Sequence, residues 1–183
     1  MRAFVAIDLP DRVIDSLAAF QAELSATGAD LKLVERENLH FTVKFLGEMD
    51  DPQSSEVLSR LGRLRLRKAT VDVRGVGAFP SPRRPRVVWA GVTRESEGLV
   101  GPIAREVIGA LEGMGERDDR PFQAHITLGR VRSFGHSREL GEFLAKQSDR
   151  SFGEAALTEL KLKSSRLTPR GPIYSDVGVF RLE

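Results

Sequence analysis

The feature that most constrains this chain is a pair of short alternating segments built on one pattern. His40-Phe41-Thr42-Val43 and His125-Ile126-Thr127-Leu128 share the form His-x-Thr-x, with an apolar residue at every second place. The chain has three histidines, and two of them open this pattern. With seven threonines in 183 residues, meeting that pairing twice by accident is rare. Strict alternation marks a half-buried β-strand, in which residues i and i+2 share a face. The spacing predicts a strand over His40–Leu46, with Phe41, Val43 and Phe45 on one face and His40, Thr42 and Lys44 on the other. A second predicted strand, Gln123–Val131, sets Ala124, Ile126 and Leu128 against Gln123, His125, Thr127 and Gly129. Each has an apolar side for a helix layer and a polar side displaying an imidazole and a hydroxyl. Two half-exposed strands facing water would explain the alternation. They would not explain why both polar faces carry a histidine two places before a threonine.

The remaining pattern supplies the setting. Arg2–Leu9 reads as a strand, and after Pro10 the residues Val13, Ile14, Leu17, Phe20 and Leu24 recur at helical spacing. Leu31–Val34 is a short apolar run. Asp51-Pro52 opens a helix predicted to reach about Lys68. Thr70–Phe79 and Arg86–Thr93 read as strands separated by the turn Pro80–Pro85, and Gly98–Met114 and Ser137–Lys146 as helices. Ala156–Leu162 and Ile173–Leu182 complete the sheet. The order β α β β α β β α β α β β predicts an α+β fold with mainly antiparallel sheet.

A length of 183 residues suits one domain, or two small lobes closely packed. The absence of cysteine excludes disulfides, thiol nucleophiles and cysteine-based metal sites. No run approaches a membrane span, and Asp8 interrupts an N-terminal stretch too short for a signal peptide, so a soluble cytoplasmic protein is expected. Net charge is only +2, but arginine far outnumbers lysine. Its planar fork suits phosphate, although a uniform preference for arginine over lysine gives the same composition.

Two imidazoles facing each other across a groove suit displacement at phosphorus. The reaction needs a base on the attacking side and an acid on the leaving side, and histidine supplies either form near neutrality. Threonine hydroxyls can donate to the non-bridging oxygens, where charge sits in the transition state. A zinc site would need a third protein ligand, and none stands at a diagnostic spacing. No G-x-S-x-G elbow supports a serine nucleophile.

At these residues the chain resembles the 2H phosphoesterase superfamily. Arg2-Ala3-Phe4-Val5-Ala6-Ile7-Asp8, Glu37–Glu48, Arg86-Val87-Val88-Trp89-Ala90-Gly91, Ala124–Arg130 and Leu167–Tyr174 resemble its RNA 2′,3′-cyclic phosphodiesterase branch, also called 2′-5′ RNA ligase. The resemblance spans nearly the whole chain. It implies a single domain over residues 1–183, made of two interleaved, pseudo-symmetric lobes, each an antiparallel sheet backed by helices, with the motif strands lining a central cleft. It also implies hydrolysis of RNA 2′,3′-cyclic phosphate ends to 2′-phosphomonoesters without metal; the expected partner is an RNA end, tRNA fragments among them, with no cofactor and a monomeric chain. His40 would then be the proton donor and His125 the acceptor, assisted by Thr42 and Thr127; 2′-5′ ligation would exchange the two roles. An RNA-end-binding module without turnover, or a related enzyme acting on 2′-5′ oligonucleotides or an ADP-ribose cyclic phosphate, remains open.

Other residues are candidates for substrate contacts. Lys44 is in phase with His40 and Thr42 and is expected at the cleft rim. Arg130 is out of phase with His125 unless Gly129 introduces a bulge. Arg86 closes a basic turn with Arg83 and Arg84 that could follow an RNA backbone. Phe122 and Tyr174 could stack on a terminal base, whereas Trp89 is expected in the core and His136 on the surface.

Overall fold

A computed structural model describes all residues, 1–183. The elements are β1 (Arg2–Asp8), α1 (Asp11–Ala26), β2 (Leu31–Leu33), β3 (His40–Glu48), α2 (Asp51–Gly62), β4 (Ala69–Ser81), β5 (Arg84–Val92), α3 (Arg94–Ala110), β6 (Ile126–Val131), α4 (Ser137–Lys146), β7 (Ser151–Leu157), β8 (Glu159–Thr168) and β9 (Gly171–Arg181). The strands run in the order β7-β4-β5-β6-β3-β1-β8-β9, all pairs antiparallel, with β2 against β6. The expected α+β architecture is present.

Two half-sheets, β7-β4-β5-β6 and β3-β1-β8-β9, meet at a single residue pair, Phe41 opposite Ile126. Those are the second residues of the two His-x-Thr-x motifs. Both side chains are fully buried, and burying each stabilises the fold by roughly 1.5–3 kcal/mol. The seam between the lobes is thus apolar on its helix side and carries the motifs on its open side. Helix α1 leaves β1 in one half-sheet and packs on β7 and β6 of the other, so chain order and spatial order interleave. One buried cluster runs through both halves.

Local chemistry sets the helix ends. Asp50 accepts from the Gln53 backbone N–H at 2.8 Å, and the Gln53 side chain accepts from the Asp50 N–H at 2.9 Å. This reciprocal cap opens α2 and stabilises it by about 1 kcal/mol. The helix ends at Gly62, short of the predicted Lys68. Leu66 is buried, and Leu66 and Lys68 bond the backbone of Glu183, which holds this stretch out of helix. Helix α3 starts four residues before the predicted Gly98, because the Thr93 hydroxyl accepts from the Ser96 N–H at 3.2 Å. The predicted strand Ala156–Leu162 is divided at Thr158 between β7 and β8.

Both motif strands carry a bulge at the fourth residue of the motif. Along β1, Ala6 lies opposite Thr42 but Val5 opposite Lys44, so Val43 is the extra residue. Along β5, Trp89 lies opposite Thr127 but Val88 opposite Gly129, so Leu128 is extra. Each bulge reverses the phase of the residues after it. Lys44 and Phe45 therefore exchange faces relative to simple alternation: Phe45 is 56% exposed, whereas Lys44 is 5% exposed.

Candidate active site

The open face of the seam is a cleft of about 680 Å³ whose walls include His40, Thr42, His125 and Thr127. The register explains why they converge. With Phe41 opposite Ile126 in an antiparallel pair, Thr127 neighbours His40 and His125 neighbours Thr42. The histidines are then diagonal neighbours, a relation that puts residues roughly 7–8 Å apart in regular sheet, with their β-carbons somewhat closer. Imidazoles projecting from such positions can flank one phosphate.

Each histidine is oriented in the same way. His40 Nδ1 lies 2.5 Å from the Asn38 carbonyl, and His125 Nδ1 lies 2.8 Å from the Gln123 carbonyl. A carbonyl only accepts, so Nδ1 carries the hydrogen in both rings and Nε2 is left for chemistry. In His40 that nitrogen is 2.8 Å from the Thr42 hydroxyl, which donates to it. Asn38 is itself buried, and its amide donates to the Pro172 carbonyl at 2.9 Å, tying the β8–β9 turn to the motif. Ahead of His125, both carboxylate oxygens of Glu97 in α3 lie 3.1 Å from the Ala124 N–H. Residues Gln123–His125 precede β6, which begins at Ile126 instead of the predicted Gln123; the Glu97 carboxylate takes the place of a ladder partner.

Aromatic rings enclose the imidazoles. Phe4 and Tyr174 sit 5.2 and 5.6 Å from the His40 ring, and Phe79 sits edge-on to His125 at 5.2 Å. Burial pushes the His40 pKa down to about 4, assisted by the positive charges of Lys163 and His125, and opposed by the Asn38 carbonyl and the Asp8 carboxylate. His40 is therefore neutral at pH 7 in the free protein. Asp8 lies opposite His40 in the sheet and contacts Lys161 and Lys163 at 2.8 and 2.9 Å; the same two lysines contact Asp176. Burial alone would raise the Asp8 pKa, but the two lysines bring it below the ordinary carboxylate range.

The structure sorts the remaining candidates by their place on the bulged strands. Arg130 lines the cleft, because the bulge falls at Leu128, beside Gly129, and returns Arg130 to the face of His125 and Thr127. The Leu128 carbonyl exposed by that bulge accepts from the Val34 N–H at 2.9 Å and the buried Gln21 amide at 2.9 Å. Tyr174 and Phe122 also line the cleft. Lys44 is among the residues lining the cleft, as expected, but the Val43 bulge puts it out of phase with His40 and Thr42, and its Nζ donates to the Glu116 carbonyl at 2.9 Å and the Asp118 carboxylate at 2.5 Å. Its charge is committed to a protein partner. Arg86 is the extra residue where Phe79 opposes Val87 and Pro80 opposes Pro85, and it lines a hollow beside the cleft. Trp89 is not in the core cluster; its indole covers Gly77 and packs on Phe79 at 5.2 Å, behind His125. His136 is exposed, as expected.

Sequence reasoning missed Arg2, Arg120 and Phe45, which also line the cleft. Arg2, Arg120 and Arg130 are in no ion pair with a carboxylate. The opening Arg2-Ala3-Phe4 was legible as strand, but its position beside β3 was not. No helix is long and apolar enough to cross a membrane.

Comparison with known proteins gives a consistent result. The family model described as LigT like phosphoesterase matches residues 7–89 and again 94–174. A protein of Archaeoglobus fulgidus named RNA 2′,3′-cyclic phosphodiesterase is 41% identical over 180 residues, covering 98% of this chain and 99% of the relative. One of the same name from Methanocaldococcus jannaschii is 37% identical, covering 95% of this chain and 96% of the relative. Among solved structures, TT0787 of Thermus thermophilus superposes with a TM-score of 0.80 at 30% identity, covering 100% of this chain and 98% of that one. E. coli LigT complexed with 3′-AMP also gives 0.80, at 26% identity, covering 99% and 97%.

Proposed function

The chain belongs to the LigT-like phosphoesterase family, and on that footing we propose that it hydrolyses 2′,3′-cyclic phosphates at RNA ends to 2′-phosphomonoesters, using its two histidines and no metal. The pairing of Phe41 with Ile126 carries the reading. An apolar contact alone would need neither a histidine nor a threonine on the opposite face of each strand. The names of the relatives supply the substrate class.

In this mechanism the cyclic phosphate sits between the two Nε2 atoms, with Thr42 and Thr127 hydroxyls donating to its non-bridging oxygens. Thr42 gives up its bond to His40 on substrate arrival. His125 takes a proton from water as the oxygen attacks phosphorus, the bond from phosphorus to the 3′ oxygen breaks, and His40 delivers a proton to that oxygen. His40 gains this proton with the substrate, because a phosphate anion beside the ring favours its charged form. Arg130, with Arg2 and Arg120, balances the phosphate charge, and Tyr174 and Phe122 offer faces to the terminal base. Ligation follows the same path with a 5′ hydroxyl in place of water: His125 takes its proton, the bond from phosphorus to the 3′ oxygen breaks and a 2′-5′ linkage forms; cleavage of that linkage back to the cyclic phosphate is the reverse and exchanges the two roles. The chain works as one unit of two interleaved lobes and needs no second copy, and a cytoplasmic RNA end, including a tRNA fragment, is its substrate.

A second reading is favoured by the low pKa of His40. A ring neutral in the free protein is ready to accept a proton, so His40 would activate water and His125 would protonate the leaving oxygen. The deciding experiment is a product assay on 2′,3′-cyclic AMP with and without chelator. Release of 2′-AMP, unaffected by EDTA, supports the first assignment. Release of 3′-AMP exchanges the histidine roles, and no product refutes the enzyme.

A further inference from the structure

The cleft does not end at Arg130. Arg130 and Val87 are shared with a second hollow of about 490 Å³, at the end of the sheet where β5 begins and β6 finishes. Its other walls include Arg86, Arg132, Ser133 and Phe134. Arg132 and Ser133 are both bonded to Asp30, at 2.9 and 2.8 Å, so that arginine is already balanced. Arg86 and Arg130 have no acidic partner. Phe134 is 66% exposed beside them. Two uncompensated guanidinium groups and an open aromatic face in one hollow match the two recurring parts of a nucleotide, a phosphate and a base. Placing an apolar ring in water gains nothing for folding, and two free like charges in one hollow repel each other, so packing does not account for the group.

We propose that this hollow is a subsite for the nucleotide that precedes the reacting end of the RNA. Arg86 holds the first internal phosphodiester, Phe134 stacks on the base attached to it, and Arg130 bridges the two sites. This rests on the functional reading above and adds a direction to it: the strand leaves the histidine cleft over Arg130 toward the start of β5. The bulge that removed Arg86 from the cleft is what presents it here. The enzyme is accordingly selective for polymer ends over cyclic mononucleotides.

The test compares kcat/KM on 2′,3′-cyclic AMP with kcat/KM on an RNA pentamer ending in a 2′,3′-cyclic phosphate. The wild type should favour the pentamer by about tenfold or more, as expected for one added stacked base with its phosphate contact. Arg86→Ala and Phe134→Ala should each lower pentamer turnover about fivefold or more and leave cyclic AMP turnover unchanged. Arg86→Ala should also flatten the salt dependence for the pentamer by about 0.7 in log–log slope. Arg67→Ala, an exposed arginine outside both hollows, serves as the charge control and should change neither. Equal losses on both substrates, or no loss on the pentamer, overturns the subsite. If the wild type opens neither ring, the functional reading fails instead. Binding of the fluorescent pentamer then decides the subsite separately: weakening by both variants supports it, and unchanged affinity removes it.

Discussion

Lowering the pH should destabilise this protein through His40. The ring has a pKa of about 4 in the native state against an ordinary 6.5. Between those values the unfolded chain binds a proton that the native ring refuses. Stability therefore rises with pH across this window and is lost as pH falls through it. Carried through the linkage relation, the difference makes the native state about 3 kcal/mol less stable at pH 4 than at pH 7 from this residue alone. That is a large part of a typical domain's total. Urea unfolding at pH 7, 6, 5 and 4 would measure the loss. The same series on His40→Gln removes the titrating group, and the difference between the two curves isolates it from acids such as Asp8 and Asp176. With only three histidines, the ring resonances can be assigned by substitution and followed directly. A His40 resonance titrating near 6.5, or parallel curves for the two proteins, would refute the account of a desolvated ring between Phe4 and Tyr174.

Other outcomes rest on the same geometry. Removing either imidazole, as His40→Ala or His125→Ala, should lower turnover of 2′,3′-cyclic AMP by about 10²–10⁴ while the circular dichroism spectrum is retained. Lys44→Met should act on stability more than on catalysis, lowering the unfolding free energy by about 1–3 kcal/mol, because it strands the Asp118 carboxylate it now contacts; a selective rise in KM would restore Lys44 to the substrate. Gln21→Leu should cost about 0.5–1.5 kcal/mol in urea unfolding, since it removes one of the two donors to the Leu128 carbonyl at the bulge. Gly77→Ala places a β-carbon 2.5 Å from the Trp89 indole. It should destabilise by about 1–3 kcal/mol and slow turnover, because the displaced indole presses on Phe79, which packs against His125.

The chemistry of the site was legible from a local rule. Side chains two places apart share a strand face, so His40 with Thr42 and His125 with Thr127 came from spacing alone, and the apolar residues between them marked a seam with a helix layer beneath. The α+β class came from the same alternation and from helical runs such as Val13–Leu24. Spacing could carry nothing beyond the fourth residue of either motif. Gly129 hinted at the second bulge, but nothing local marked the first at Val43, and a bulge is held by distant groups: the Gln21 amide and the Val34 N–H for Leu128. That one-residue slip buried Lys44, exposed Phe45 and brought Arg130 to the cleft.

Likewise, composition left Arg86 as part of a basic turn, and only the start of β5 against the end of β6 decided which hollow it lines. Local pattern was enough to display two imidazole–hydroxyl pairs on strands, because that depends on neighbours a few residues apart. Only folding brings the two pairs to one cleft, since that depends on Phe41 lying opposite Ile126, a residue far along the chain.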